Sequence, residues 1–126
     1  MQRLEERVQE GVLVCDGAMG TELHRLGLAP GECPEQWCLD HPERVRAVHQ
    51  AYRGAGSAIV ETNTFGGNRY KLAHYGLESA VEAINRAGAA LAREVAGDTQ
   101  WVMASLGPTG AFMEPYGEES EQAFYD

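Results

Sequence analysis

Hydrophobic and polar positions along this chain form three short apolar runs separated by longer amphipathic stretches. The first run, Val12-Leu13-Val14-Cys15, stops at Asp16 and then at Gly17 and Gly20, which bracket Ala18-Met19. The second, Ala58-Ile59-Val60, passes into Glu61-Thr62-Asn63-Thr64-Phe65-Gly66-Gly67. The third, Trp101-Val102-Met103-Ala104, passes into Ser105-Leu106-Gly107-Pro108-Thr109-Gly110. Short apolar runs without alternation suit strands buried on both faces, as in a parallel sheet.

Between the runs the period lengthens to that of helices. Residues 2–10 read as a short N-terminal helix, with Leu4 and Val8 one turn apart and Gly11 ending it. Residues 24–39 show no clear period and read as a long loop. A helix then starts with Asp40 as cap, Pro42 in the first turn and Glu43 at the capping-box position. Val45, Val48 and Tyr52 share one face of it, and Gly54 and Gly56 close it. Residues 68–75 suit one or two helical turns. Residues 78–96 form the clearest helix, with Val81, Ile84, Gly88, Leu91 and Val95 on one face and Gly97-Asp98 after it. Residues 120–126 look like the opening of another.

The strand starts at Val12, Ala58 and Trp101 lie 46 and 43 residues apart. Strands alternating with helices imply an α/β fold with parallel pairing through right-handed crossovers. In such folds the C-terminal strand ends share one edge, and ligands bind there. The acid and glycines that follow each run therefore lie on the functional edge. Three strands cannot close a barrel, which needs eight βα units and ~250 residues. The expectation is a single domain, 1–126, that is a piece of something larger rather than a small open sheet.

Composition narrows the classes. The 126 residues are 44% hydrophobic and 23% charged, as in a globular domain. No apolar run approaches the ~20 residues of a membrane helix. The charged N-terminus lacks the apolar centre of a signal peptide, so a cytoplasmic location is expected. The net charge of −9 argues against nucleic acid and anionic membranes, which need a basic footprint. Three cysteines are too few for a disulfide scaffold and fit a reducing compartment.

Three motifs in order carry a resemblance that spans almost the whole chain: DGAMGTEL, CPEQWCLDHPERVRAVHQAYRGAGSAIVETNTFGGNRYKLAHYGL and ASLGPTGAFMEPYG. Together they resemble the N-terminal part of the homocysteine S-methyltransferase family. The nearest patterns are the homocysteine-binding domains of cobalamin-dependent methionine synthase and of the bifunctional homocysteine methyltransferase/methylenetetrahydrofolate reductases. The resemblance implies the first three βα units of a (β/α)8 barrel, here incomplete. It also implies a zinc held by three cysteines, which lowers the pKa of the homocysteine thiol. The thiolate takes a methyl group from a sulfonium, ammonium, folate or cobalamin donor to give methionine. The family's zinc cysteines lie in an Asn-Cys context and a Gly-Gly-Cys-Cys run, and neither occurs in this sequence. The chain is thus expected to carry part of a homocysteine pocket, to lack the metal ligands, and to be inactive alone.

The resemblance places Asp16 near the homocysteine ammonium group, with the Gly17 and Ala18 backbone N–H groups free to bind the carboxylate. Against this stands a role for Asp16 in stabilising its own turn. Glu61, Thr62 and Asn63 either line the pocket or bond to neighbouring loop backbone. Ser105 has the same two readings. Thr64, Phe65 and Gly66 could shape the donor side, and Gly107 to Gly110 is a turn before it is a ligand loop. Cys33, Cys38, His41 and His49 have the spacing Cys-x4-Cys-x2-His-x7-His, which does not match the usual zinc fingers. Cys15 reads as a small core residue, and Tyr52 and Trp101 as packing.

Two other classes compete with the enzyme. One is a non-catalytic ligand-binding or assembly module that completes a barrel with another chain, since open sheet edges and apolar helix faces favour self-association. The other is an independent α/β domain.

Overall fold

The structure is a computed structural model and describes residues 2–125. Its centre is a parallel pair, β1 (Ile59–Glu61) beside β2 (Trp101–Met103), with Ile59 opposite Trp101 and Glu61 opposite Met103. The first apolar run joins β1 from the other side through one parallel bridge, Cys15 to Ile59. There Ala58 N donates to Val14 O at 2.7 Å and Asp16 N to Ile59 O at 3.0 Å. The three runs therefore lie side by side, parallel and in chain order, in an α/β sheet that is not closed.

The helices are α1 (Leu4–Arg7), α2 (Met19–Arg25), α3 (Trp37–Asp40), α4 (Pro42–Gly54), α5 (Arg69–Ala73) and α6 (Val81–Ala96). A 3-10 turn, Glu78–Ala80, leads into α6, and another, Glu121–Phe124, follows the Ser120 cap near the C-terminus. On the α6 face, Ile84, Gly88, Leu91 and Val95 are buried, as the sequence period requires. One core joins α2, α3, α4 and α6 through Leu23, Trp37, Val45, Val48 and Leu91. A second lies where Val60 and the half-buried Val102 meet Ala92 and Ala96 of α6.

Several expectations need correction. The first run is not buried on both faces: Val12 is 92% and Val14 61% exposed, and Cys15 is exposed rather than a core residue. Among the described elements α4 and α6 make the main helix contacts to the sheet, and these exposures show that neither covers the first run. Residues 24–39 are not one loop. They hold the end of α2 and all of α3, each too short for a period to show. Asp40 does not cap α4; it ends α3, and His41 takes the cap position without a side-chain bond. The N-terminal helix is shorter than 2–10, and Val8 is exposed while Leu4 is half-buried. Residues 120–126 open as a 3-10 turn rather than an α-helix, and Asp126 lies outside the described residues.

Candidate functional site

The carboxyl ends of the three runs converge on one open cleft of about 580 Å³. All seven residues singled out from the sequence line it: Asp16, Gly17 and Ala18 after the first run, Glu61, Thr62 and Asn63 after β1, and Ser105 after β2. Met19, Gly20, Pro34, Glu35, Thr64 and Phe65 complete the wall. Gly66 and the turn from Gly107 to Gly110 stand outside it.

The glycine turn after Asp16 is shaped by α4. Tyr52 donates from its hydroxyl to Ala18 O at 3.0 Å and lies flat against Gly17. A Cβ on Gly17 would sit 2.8 Å from that hydroxyl and 2.9 Å from the ring, so only glycine leaves room. Packing thus fixes the turn and delivers the chain into α2, whose N-terminus opens at the cleft. Ala18 holds the cap position of α2 without a side-chain bond, and Ala18, Met19 and Gly20 line the cleft.

Asp16 bonds across to the neighbouring strand end. Its carboxylate accepts the Glu61 N–H, 3.0 Å from each oxygen, and so ties the first run to β1. One N–H leaves most of a carboxylate's acceptor capacity open. The side chain is only 2% exposed, and burial pushes its pKa above the usual aspartate value. The Glu61 N–H works against that shift, and the Glu61 carboxylate nearby reinforces it. Two neighbouring carboxylates form a site that welcomes a cation. Among the described residues no hydrogen bond or ion pair engages the Glu61 carboxylate.

Behind Asp16 stands a residue that sequence reasoning placed only in an unlikely metal pattern. His49 of α4 is 0% exposed, and neither ring nitrogen has a hydrogen-bond partner among the described residues. Its Nδ1 lies 4.0 Å from Asp16 Oδ2, too far for a hydrogen bond. Burial pushes the imidazole pKa down to about 4, so at neutral pH the ring is uncharged and the two groups form no ion pair.

Thr62, Thr64 and Ser105 close a ring of hydrogen bonds. Ser105 N donates to Thr62 Oγ1 at 3.0 Å, and Thr64 Oγ1 donates to Ser105 O at 2.9 Å. The Thr64 proton is thereby committed, so Thr62 is the donor in the 2.6 Å contact between the two hydroxyls. Asn63 donates to Pro34 O at 2.8 Å. The side chains of Thr62 and Asn63 thus bond to the loops around the cleft that both residues line. Among the described residues the Ser105 hydroxyl has no hydrogen-bond partner, and Ser105 lines the cleft. Glu35, which sequence reasoning did not single out, accepts from Gly66 N at 2.8 Å and from the Cys33 thiol at 3.3 Å.

The cysteines do not suit a metal. Cys33 donates to Glu35, and Cys38 donates to Asn63 O at 3.5 Å. Burial raises their pKa values to about 11 and about 12. His41 instead packs edge-on against Trp37. Among the described residues no three His, Cys, Asp or Glu side chains converge as metal ligands. No described helix is long and apolar enough to cross a membrane.

The family model described as Homocysteine S-methyltransferase matches residues 13–126. The methionine synthase of Mycobacterium leprae is 32% identical over 117 residues, which covers 83% of this chain and 10% of that protein. That of Mycobacterium tuberculosis is 33% identical over 113 residues, covering 80% and 10%. The chain thus spans about a tenth of the length of these curated relatives. Among solved structures, the metallated form of the Escherichia coli homocysteine methyltransferase MmuM superposes with a TM-score of 0.73 at 27% identity, covering 85% of this chain and 42% of that one. Its oxidized form gives 0.66 at 26% identity, covering 79% and 38%.

Proposed function

The chain belongs to the homocysteine S-methyltransferase family, and from that premise we propose that its cleft binds the amino-acid end of homocysteine as part of a methyltransferase barrel. The observation that carries the reading is the juxtaposition of unlike groups at the strand ends. The Asp16 and Glu61 carboxylates and the start of α2 line the same cleft. A zwitterionic amino acid needs both: acids for its ammonium group and N–H donors for its carboxylate.

In this reading Asp16 and Glu61 hold the ammonium group, while Gly17 and Ala18 N–H hold the carboxylate. The Ser105 hydroxyl adds a contact. Thr62 and Asn63 keep the strand ends in register, so their part in binding is structural. Zinc, where the family has it, makes the homocysteine thiol a thiolate at neutral pH. Among the described residues no three His, Cys, Asp or Glu side chains converge to hold it. We assign this chain substrate binding and orientation, and place the metal and the methyl donor, folate or cobalamin among the candidates, with residues outside it. A cytoplasmic setting accompanies this reading.

The test is calorimetric titration of the chain with L-homocysteine. Asp16→Asn keeps the acceptor for Glu61 N–H but removes the charge, and should weaken binding by about 2 kcal/mol, roughly thirtyfold. Equal affinity in both proteins would remove Asp16 from the site. A second reading, an assembly module that associates through its open sheet, is favoured by the exposed Val12 and Val14.

A further inference from the structure

Two buried polar groups in this chain face each other without bonding. His49 is fully buried, both of its ring nitrogens lack partners among the described residues, and its Nδ1 lies 4.0 Å from Asp16 Oδ2. Asp16 accepts the Glu61 N–H at 3.0 Å from each oxygen, which leaves its carboxylate with lone pairs to spare. An orphaned buried donor is costly, and native proteins rarely leave one without a reason. Helix α4 holds the imidazole in place. One turn along the same helix, Tyr52 is anchored to Ala18 O, so the helix and the Asp16 turn are already tied together. The residual gap is about one ångström beyond hydrogen-bond length.

We propose that His49 is a positioning residue for Asp16: when a ligand's ammonium group enters the cleft, the imidazole donates from Nδ1 to the Asp16 carboxylate and fixes its orientation toward the ligand. The inference rests on the reading of the cleft as a homocysteine site and adds a residue that does not itself touch the ligand. A cation beside Asp16 favours its ionised form, and an ionised carboxylate is the stronger acceptor. The neutral imidazole carries one proton, which the bond places on Nδ1. Both side chains are almost fully buried, where a hydrogen bond is stronger than in water. Ligand binding thus satisfies a donor that the free chain leaves unpaired, and His49 adds to affinity from behind the site.

The experiment is NMR of the 126-residue chain labelled with 15N, titrated with L-homocysteine. Histidine ring nitrogens and the amides of Gly17, Ala18 and Glu61 are followed in the same samples. The expected result is movement of those amides together with a change in the His49 Nδ1 signal to that of a hydrogen-bonded N–H. Amides that move while the His49 ring stays unchanged would overturn the proposal and leave the homocysteine reading standing. Amides that do not move would overturn both. Two variants separate positioning from packing. His49→Leu should weaken homocysteine binding about tenfold without lowering the melting temperature, because it removes a hydrogen bond to a charged group and an orphaned polar ring together. His49→Asn, which offers an N–H near the position of Nδ1, should restore most of the affinity. A purely structural His49 predicts unchanged affinity in any variant that folds, and that result would overturn the assignment.

Discussion

Gly17 shows how one residue ties sequence to site. It has an ordinary backbone conformation, so its need for glycine is spatial rather than torsional. The Tyr52 ring occupies the volume a Cβ would take. Gly17→Ala should therefore destabilise the chain by about 1–3 kcal/mol, as overpacking does. Urea denaturation measures this, and Tyr52→Phe in the same background should recover part of the loss by removing the nearest atom. No loss in Gly17→Ala would show that the tyrosine moves aside freely. At this scale the sequence was legible in part. Asp16 and its glycine turn after the first run and Glu61 after the second announced the cleft, because strand ends in parallel folds gather there. His49 was not legible, because its importance lies in a neighbour 33 positions away in the chain. Nor was Glu35, whose carboxylate is spoken for by the Gly66 backbone.

Among the elements, long periodic stretches were read well and short ones poorly. Helix α6 declared itself through a stripe of apolar and small residues, and the stripe is buried. Gly88 belongs to that stripe for a definite reason: a Cβ there would lie 2.7 Å from the Thr64 methyl group. Close approach of α6 to the strand end is what leaves Thr64 against Thr62 and Ser105 in their closed ring. By contrast, α2 presents a single buried residue, Leu23, and α3 spans four residues, so neither creates a readable period. The first apolar run misled in the other direction. Four apolar residues in succession suggest a strand covered on both faces, yet pairing there is limited to the bridge at Cys15. Coverage depends on what packs against a segment, and the segment's own residues do not encode that.

On the scale of the whole molecule, the open parallel sheet leaves apolar side chains in water. Val12 and Val14 at one side, and Leu106 and Phe112 after β2, are exposed. Such surface favours association. Sedimentation velocity should show a species that grows with concentration, and Val12→Lys with Val14→Lys should return it to monomer. A monomer at every concentration would remove the assembly reading. The central claim, however, concerns the cleft, which the three strand ends build together. Its most direct test is a crystal structure of the chain grown with L-homocysteine. The account predicts the ammonium group between Asp16 and Glu61 and the carboxylate at the Gly17 and Ala18 N–H groups. Homocysteine bound elsewhere, or a cleft left empty at saturating ligand, would contradict it.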